Sequence, residues 1–202
     1  MDSFSAKKKY HVVKRSLAVI FSFILIVFLS LPMLVIWLAV RLSTPGKGIF
    51  RQIRVGKDRR LFTCYKFRTM YTSAPPCRPS SDFDDAEKYI TPVGRFLRRT
   101  SLDELPQLFN VLRGDMSLVG PRPLILAERE VHEGRRENGV YILRPGMTGL
   151  SQVSGRDYVS DQEKVELDTK YLCEFGLMQD VRILAKTVAK VISGDGTREK
   201  SK

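Results

Sequence analysis

The sequence predicts an α/β protein with two parts: an N-terminal re-entrant membrane helix interrupted by a break, and a mainly helical domain. The domain is expected to carry a small β-hairpin and amphipathic interfacial helices. Three observations predict this arrangement. An uncharged run extends from Ser16 to Val40, two extended runs follow between Ile49 and Phe67, and apolar residues recur at helical spacing from Val93 to Ile192.

The uncharged run is long enough to form a membrane helix. At about 1.5 Å per residue, residues 16–40 cover the roughly 30 Å hydrocarbon core of a bilayer. A cleaved signal peptide is disfavoured, because the run is too long and no small-residue cleavage site precedes a new polar N-terminus. The run is therefore interpreted as an anchor.

Pro32 lies well inside this run, next to Leu31 and Ser30. An interior proline removes one backbone hydrogen bond and clashes with the preceding turn, so it kinks or breaks a helix. The hydroxyl of Ser30 can form a hydrogen bond at such a break. The sequence therefore predicts a break in the membrane helix at Ser30 and Pro32.

Basic residues flank the run on both sides. Those before it are Lys7, Lys8, Lys9, Lys14 and Arg15, and those after it are Arg41, Lys47, Arg51, Arg54, Lys57, Arg59 and Arg60. The positive-inside rule keeps both flanks in the cytoplasm. A helix that enters the membrane, bends at Pro32 and returns to the same face satisfies both observations. A kinked single-pass anchor is the alternative.

Two extended runs after the anchor, Ile49 to Val55 and Leu61 to Phe67, are separated by turn-forming residues 56–58. This pattern predicts a β-hairpin next to the membrane. Residues 72–85 form a Pro-, Ser- and Asp-rich loop, which is either a lid over a site or a surface excursion.

Helical patterning resumes beyond the loop. The predicted helices are Val93 to Arg99, Glu104 to Leu112, Leu124 to Arg136, Glu163 to Phe175 and Leu177 to Ile192. The last has an apolar stripe, which either packs on the core or lies in the membrane interface; its members are Val181, Leu184, Val188 and Ile192. The expected divisions are an anchor (1–43), a domain (44–194) and a flexible tail (195–202).

The net charge of +12 indicates an anionic partner: nucleic acid, anionic lipid or a phosphorylated substrate. The three cysteines, Cys64, Cys77 and Cys173, match no metal-binding or redox spacing. An odd, scattered set is typical of reduced thiols in a cytosol-facing protein. Composition alone does not choose among the anionic partners.

The adjacent acids Asp103 and Glu104 follow two arginines and precede an apolar helical run. Ser101 and Glu104 fit a capping box, so a structural helix start explains the acids without any chemistry. The same geometry also suits catalysis. A helix N-terminus attracts phosphate, and a carboxylate there can hold Mg²⁺ or attack phosphorus. The residues alone leave both interpretations open.

Rigid, proline- or glycine-bounded turns present further arginines. They are Gly120–Pro123, which contains Arg122, the turn Arg144–Gly146, and Gly155–Asp157, which contains Arg156. Fixed arginines suit bidentate recognition of phosphate. Each turn alone is explained by ordinary chain reversal, but together with the acid pair they indicate an anion site.

Four segments in matching order and spacing resemble the bacterial monotopic phosphoglycosyl transferases. They are residues 65–70 (YKFRTM), 101–112 (SLDELPQLFNVL), 114–123 (GDMSLVGPRP) and 144–149 (RPGMTG). The resemblance extends from about Lys14 to Ser193. It departs in one detail, because Leu31 separates Ser30 from Pro32 where the family often has Ser directly before Pro. The short chain resembles the minimal form of the family.

The resemblance implies a re-entrant anchor in the bacterial inner membrane and a catalytic domain on its cytoplasmic face. It implies transfer of a sugar 1-phosphate from a UDP-sugar to undecaprenyl phosphate, with release of UMP, as the first membrane step of glycoconjugate synthesis. By position, Asp103 would form a covalent aspartyl-phosphosugar and bind Mg²⁺, and Glu104 would assist. Arg98, Arg122 and Arg156 match positions expected near phosphate or nucleotide.

Two alternatives remain open. A non-enzymatic, membrane-anchored binder of anionic lipid or nucleic acid accounts for the charge, but not for paired acids among arginines. The chain also lacks the aromatic and basic interleaving of RNA-recognition proteins, so no nucleic-acid partner is expected. A phosphatase or phosphotransferase of another class would share Asp103 and Mg²⁺ but release inorganic phosphate.

Overall fold

The structure, a computed structural model, describes residues 2–74, 86–155 and 159–193. The predicted tail, Arg156 and all but the first three residues of the 72–85 loop lie outside these ranges. The helices are α1 (Asp2–Ser43), α2 (Pro92–Thr100), α3 (Gln107–Arg113), α4 (Arg129–Glu137), α5 (Leu150–Ser154), α6 (Asp161–Cys173) and α7 (Leu177–Ser193). The strands are β1 (Ile49–Val55), β2 (Leu61–Phe67), β3 (Ser117–Val119) and β4 (Gly146–Thr148).

Helix α1 is one helix that continues through Pro32. Its segment Tyr10–Ser43 is long and apolar enough to cross a membrane. The hydroxyl of Ser30 donates to the carbonyl of Val27, one turn back, at 2.8 Å. The sequence predicts two helices separated by a break at this point, and the continuous helix does not confirm that detail.

Both halves of α1 pack against the rest of the protein. In the first half, Ala18 is buried in a cluster with Cys64 and Val111, and the guanidinium of Arg15 donates to two carbonyls at the end of α3. Near the other end, Val40 is buried in a second cluster with Phe67 and Leu97. The helix therefore contacts the domain at two separate places.

The predicted hairpin is confirmed residue by residue. Strands β1 and β2 pair antiparallel from Ile49 opposite Phe67 to Val55 opposite Leu61. A short 3₁₀ turn, Lys57–Arg59, joins them, and Asp58 and Arg59 adopt positive φ. The backbone N–H of Gly56 donates to the Arg60 carbonyl and closes the turn.

Helices α2, α6 and α7 lie within two residues of their predicted bounds. Helix α4 begins at Arg129 rather than at the predicted Leu124, because the preceding segment is held in another conformation. Leu124 forms a β-bridge with Val55, and the Glu128 carboxylate accepts from the N–H of Ile125. Apolar spacing in the sequence does not reveal these tertiary contacts.

A two-stranded parallel pair, β3 with β4, was not predicted, because each strand has only three residues. Three glycines permit the close approach of the two segments. A Cβ at Gly120 would lie 2.4 Å from the Arg144 carbonyl oxygen, and a Cβ at Gly146 or Gly149 would lie 2.1 Å from the Gly120 backbone. The pair brings the 114–123 and 144–149 segments together.

The outward side of α7 is apolar. Ile183 faces the core with 1% of its surface exposed. The predicted stripe is exposed instead: Val181 by 51%, Leu184 by 39%, Val188 by 58% and Ile192 by 81%. The stripe therefore does not pack on the core, and its place in a membrane interface stays a prediction.

Candidate active site

The acid pair lies in a tight connection between α2 and α3. Ser101 takes the left-handed conformation at φ 56°, and its N–H closes the last turn of α2 by donating to the Arg98 carbonyl. The chain then reverses into a 3₁₀ turn, Leu102–Glu104, before Pro106 leads into α3.

The capping box predicted for Ser101 and Glu104 is wrong. The Ser101 side chain makes no capping hydrogen bond, because its left-handed backbone ends α2 instead of starting α3. A capping box does exist in the chain, at Ser160 and Glu163 before α6. A capping box therefore does not explain the acid pair, but both acids still lie in the first turn of the 3₁₀ segment Leu102–Glu104.

The two acids have different surroundings. Asp103 is buried, with 8% of its surface exposed. The Glu104 carboxylate is more accessible and pairs with the Lys66 ammonium of β2 at 2.6 Å. Neighbouring residues on a helical turn point in different directions, so separate roles for the two carboxylates fit this geometry.

Asn110 fixes the position of the acid pair relative to β2. It is fully buried in α3, where its side-chain amide donates to the Thr63 carbonyl at 2.7 Å and accepts from the Tyr65 N–H at 3.1 Å. Through these two bonds, the backbone of β2 is joined to the Asn110 side chain of α3. Lys66, the next residue of β2, is therefore held at a set distance from the turn that carries Glu104.

A small cleft opens beside Glu104. Its lining combines the hairpin, α3 and the two glycine-rich segments: Arg54, Cys64, Lys66, Glu104, Gln107, Arg122, Pro123, Gly146, Met147 and Gln152. Of the predicted site residues, the structure thus brings Glu104 and Arg122 together in the lining. Asp103 is their close neighbour through its peptide bond to Glu104 but does not itself line the described cleft.

Arg54 and Lys66 are cleft residues that the sequence did not indicate as site residues. The Arg54 guanidinium donates to the Pro123 carbonyl at 2.7 Å, which fixes the residue next to Arg122. Burial, and then the nearby charge of Arg122, lower the pKa of Arg54 to about 10. Arg54 still carries its charge at neutral pH. The cleft therefore holds three cations and one carboxylate, a balance suited to a diphosphate.

The thiol of Cys64 also borders the cleft. Burial raises its pKa, so the sulfur is a neutral thiol at physiological pH. Nucleophilic attack and metal binding both require the thiolate. Cys64 therefore serves as a small apolar part of the cleft wall.

A buried ion pair is hydrogen-bonded to the backbone of Arg122. The guanidinium of Arg135 in α4 donates to the Arg122 carbonyl at 2.8 Å and, through Nε, to the Asp168 carboxylate of α6 at 2.9 Å. Ser151 donates to the other Asp168 oxygen at 3.1 Å. Both charged side chains are at most 3% exposed. The Arg122 backbone is thus bonded to a hydrogen-bond network that links α4, α5 and α6.

Two further arginines that the sequence indicated, Arg98 and Arg144, are not among the residues that line the described cleft. Arg98 donates through Nε to the Thr69 hydroxyl at 3.0 Å and is not among the residues that line the described cleft. Arg144 donates to the Gly114 carbonyl at 2.9 Å, so it holds a turn. Arg156 lies outside the described residues. The predicted helix-break residues, Ser30 and Pro32, belong to α1 and not to this site.

The donor set fits a magnesium ion that is shared with a substrate. Among the described residues, no three His, Cys, Asp or Glu side chains cluster as a complete metal site. Mg²⁺ commonly binds through one or two carboxylates together with substrate phosphates and water. Asp103, next to a cation-lined cleft, supplies a carboxylate of this kind.

Comparison with known proteins identifies the family. The family model for bacterial sugar transferases matches residues 9–194. The exopolysaccharide production protein ExoY of Sinorhizobium fredii is 36% identical over 91% of this chain and 87% of its own length. The undecaprenyl-phosphate galactose phosphotransferase of Salmonella typhimurium is 40% identical over 95% of this chain and 43% of its own length.

A UDP-galactose-lipid carrier transferase of Erwinia amylovora is 44% identical over 85% of this chain and 39% of its own length. The chain thus spans less than half the length of several curated relatives and most of the length of another. The matched region contains the acid pair, the hairpin and both glycine-rich segments. The chain belongs to the bacterial sugar transferase family of phosphoglycosyl transferases.

Proposed function

We propose that this protein transfers a sugar 1-phosphate from a UDP-sugar to undecaprenyl phosphate and releases UMP. One observation carries the proposal: a buried aspartate beside a cleft lined by Arg54, Lys66 and Arg122. Relatives whose names specify a galactose or glucose phosphotransferase acting on undecaprenyl phosphate support the choice of substrates. The protein would perform the first membrane step of glycoconjugate synthesis.

In the proposed mechanism, an Asp103 carboxylate oxygen attacks the β-phosphorus, which bears the sugar. A bond forms between that oxygen and phosphorus, and the bond from phosphorus to the bridging oxygen breaks, so UMP leaves with the electron pair. A phosphate oxygen of undecaprenyl phosphate then attacks the same phosphorus and releases Asp103. Two displacements through a covalent aspartyl-phosphosugar thus replace one direct transfer.

The other residues of the site have complementary roles in this proposal. Glu104, held by Lys66 at 2.6 Å, accepts the proton of the incoming polyprenyl phosphate when that group is protonated. Arg54, Lys66 and Arg122 neutralise the diphosphate as charge builds on the leaving UMP. Asp103 would also hold Mg²⁺, which when bound neutralises the diphosphate and orients it for attack.

We also propose that α1 is re-entrant and does not cross the membrane. The domain contacts α1 at Ala18 and again from Met33 to Val40, and Ser22 is fully buried. Only residues 23–32 lie between these contacts, which is about 15 Å of helix and half of the hydrocarbon core. Both flanks are basic as well. The proposal puts both ends of α1, and the domain, on the cytoplasmic face of the inner membrane.

Cysteine accessibility in intact cells tests this topology. Ser3→Cys and Ser193→Cys place a thiol before and after the anchor. Both are expected to resist a membrane-impermeant maleimide added outside the inner membrane, and to react after permeabilisation. The unsubstituted chain gives the background from Cys64, Cys77 and Cys173. Reaction of Ser3→Cys alone in intact cells would instead establish a single-pass anchor.

The activity is tested with detergent-solubilised protein, Mg²⁺, undecaprenyl phosphate and a panel of UDP-sugars. UMP release that depends on undecaprenyl phosphate is the expected result with at least one sugar. Release of inorganic phosphate without UMP would indicate a phosphatase. No nucleotide product from a broad panel, combined with binding to anionic vesicles, would favour the non-enzymatic lipid binder.

A further inference from the structure

Gln152 brings an unusual polar atom to the wall of the cleft. It lies on the short helix α5, directly after the Arg144–Gly149 segment, and lines the same cleft as Glu104 and Arg122. Its Oε1 atom is buried and has no hydrogen-bond partner within the described part of the chain. Buried side-chain oxygens normally have a partner, so this atom requires an explanation.

The orientation of the Gln152 amide follows from its other contact. The Nε2 group donates to the Met147 carbonyl at 3.1 Å. A carbonyl oxygen can only accept, so the amide nitrogen must face Met147, and a flipped amide would place two oxygens against each other. Oε1 is thereby held in place as an acceptor that lacks a donor in the described part of the chain.

A glycine lies directly against Oε1. A Cβ at Gly149 would lie 2.6 Å from Oε1 and 2.1 Å from the Gly120 carbonyl oxygen. Any larger residue at this position would press on the acceptor. The backbone at Gly149 thus packs closely on an acceptor that has no donor among the described residues.

We propose that Gln152 is a substrate-recognising residue whose Oε1 accepts a hydrogen bond from an N–H or O–H group of the nucleotide sugar. The inference rests on the proposed function and extends it to a residue with no chemical role in the transfer. A UDP-sugar offers such donors on the uracil imide, on the ribose and on the transferred sugar. Arg54, Lys66 and Arg122 line the same cleft and suit the diphosphate, so a neutral acceptor completes recognition of the uncharged parts.

Gln152→Met is the test variant, because methionine has a similar length and no acceptor oxygen. Gln162→Met is the matched control, because Gln162 is exposed on α6 and its side chain donates a hydrogen bond to Glu166 on the same helix. Four quantities are measured: the Kd for UDP, the KM and the kcat for a UDP-sugar that the wild-type protein accepts, and the melting temperature.

Gln152→Met is expected to raise the KM for the UDP-sugar about tenfold, with kcat within about twofold of wild type. The melting temperature is expected to stay within a few degrees of wild type. The variant loses the hydrogen bond to the Met147 carbonyl, but it also loses an unpaired buried oxygen, and the two effects offset each other. A parallel rise in the Kd for UDP would place the donor on uracil or ribose. An unchanged Kd for UDP would place it on the transferred sugar.

Unchanged KM and Kd in Gln152→Met would overturn the inference, as would equal effects in Gln162→Met. A loss of melting temperature without a loss of affinity would likewise show a purely structural role. Gln152→Leu repeats the test if the methionine variant does not fold. If wild-type protein releases no UMP from any sugar, the proposed function fails, whereas the Kd for UDP still tests Gln152 as a nucleotide contact.

Discussion

Asp103→Asn is expected to reduce UMP release by roughly 10³-fold or more while the protein remains folded. The amide oxygen of asparagine is a poor nucleophile, so the covalent step is lost although the side chain keeps its size. Turnover is measured as UMP formed from the preferred UDP-sugar and undecaprenyl phosphate. The melting temperature in detergent reports whether the variant still folds.

Asp161→Asn is the matched control, because Asp161 makes an exposed pair with Lys164 at the start of α6. It should retain nearly full activity. Intact-protein mass measurement adds a second observation. Wild-type protein incubated with UDP-sugar in the absence of undecaprenyl phosphate should gain the mass of one phosphosugar, and Asp103→Asn should not. Near-normal turnover in Asp103→Asn would remove Asp103 as the nucleophile.

The parts of the fold that follow from local patterns were predictable. Two extended runs around turn residues predicted the hairpin 49–67, and apolar periodicity predicted α2, α6 and α7. The strands β3 and β4 carry no such signal, because three residues are too few for a pattern. Glycines 120, 146 and 149 mark the crowding of these strands, but a sequence does not say which backbones approach one another.

The acid pair shows where local reasoning misleads. Ser101 and Glu104 have the spacing of a capping box, yet Ser101 adopts a left-handed backbone that ends α2. The packing of α2 against the following turn decides which of the two backbone conformations Ser101 adopts. The prediction of Asp103 and Glu104 as site residues came from the family pattern, and it remains a prediction. The pairing of Glu104 with Lys66 was not visible, because 38 residues separate the two.

Arg122 was predicted from its rigid turn, whereas Arg54 was missed. Strand alternation predicts that successive side chains of β1 point to opposite faces of the hairpin, but it does not predict which face borders the cleft. Burial and the neighbouring charge of Arg122 give Arg54 its lowered pKa, and both are tertiary effects. Arg135 and Asp168 were missed for the same reason. Their apposition joins α4 to α6 across 33 residues of chain.

Asp168→Asn is expected to destabilise the protein by about 3–5 kcal/mol, because it leaves the Arg135 guanidinium buried without its counter-charge. The Asp168 side chain is 1% exposed and that of Arg135 3%, so water cannot compensate. For a chain of this size, such a loss lowers the melting temperature by roughly 10 °C. Thermal unfolding in detergent measures the effect. Glu133→Gln is the matched control, because its pair with Arg136 is exposed and should contribute less than about 1 kcal/mol.

The double variant Arg135→Met with Asp168→Leu separates stability from site geometry. Replacing both charges with apolar side chains removes the unpaired ion, so much of the lost stability should return. The Arg122 carbonyl nevertheless loses the donor that holds it at 2.8 Å. The KM for the UDP-sugar should therefore stay several-fold above wild type even where the melting temperature recovers. Full recovery of both quantities would mean that Arg135 serves the fold alone. The bonds from the Gly146 N–H to the Pro121 carbonyl and from Arg54 to the Pro123 carbonyl would then suffice to orient Arg122.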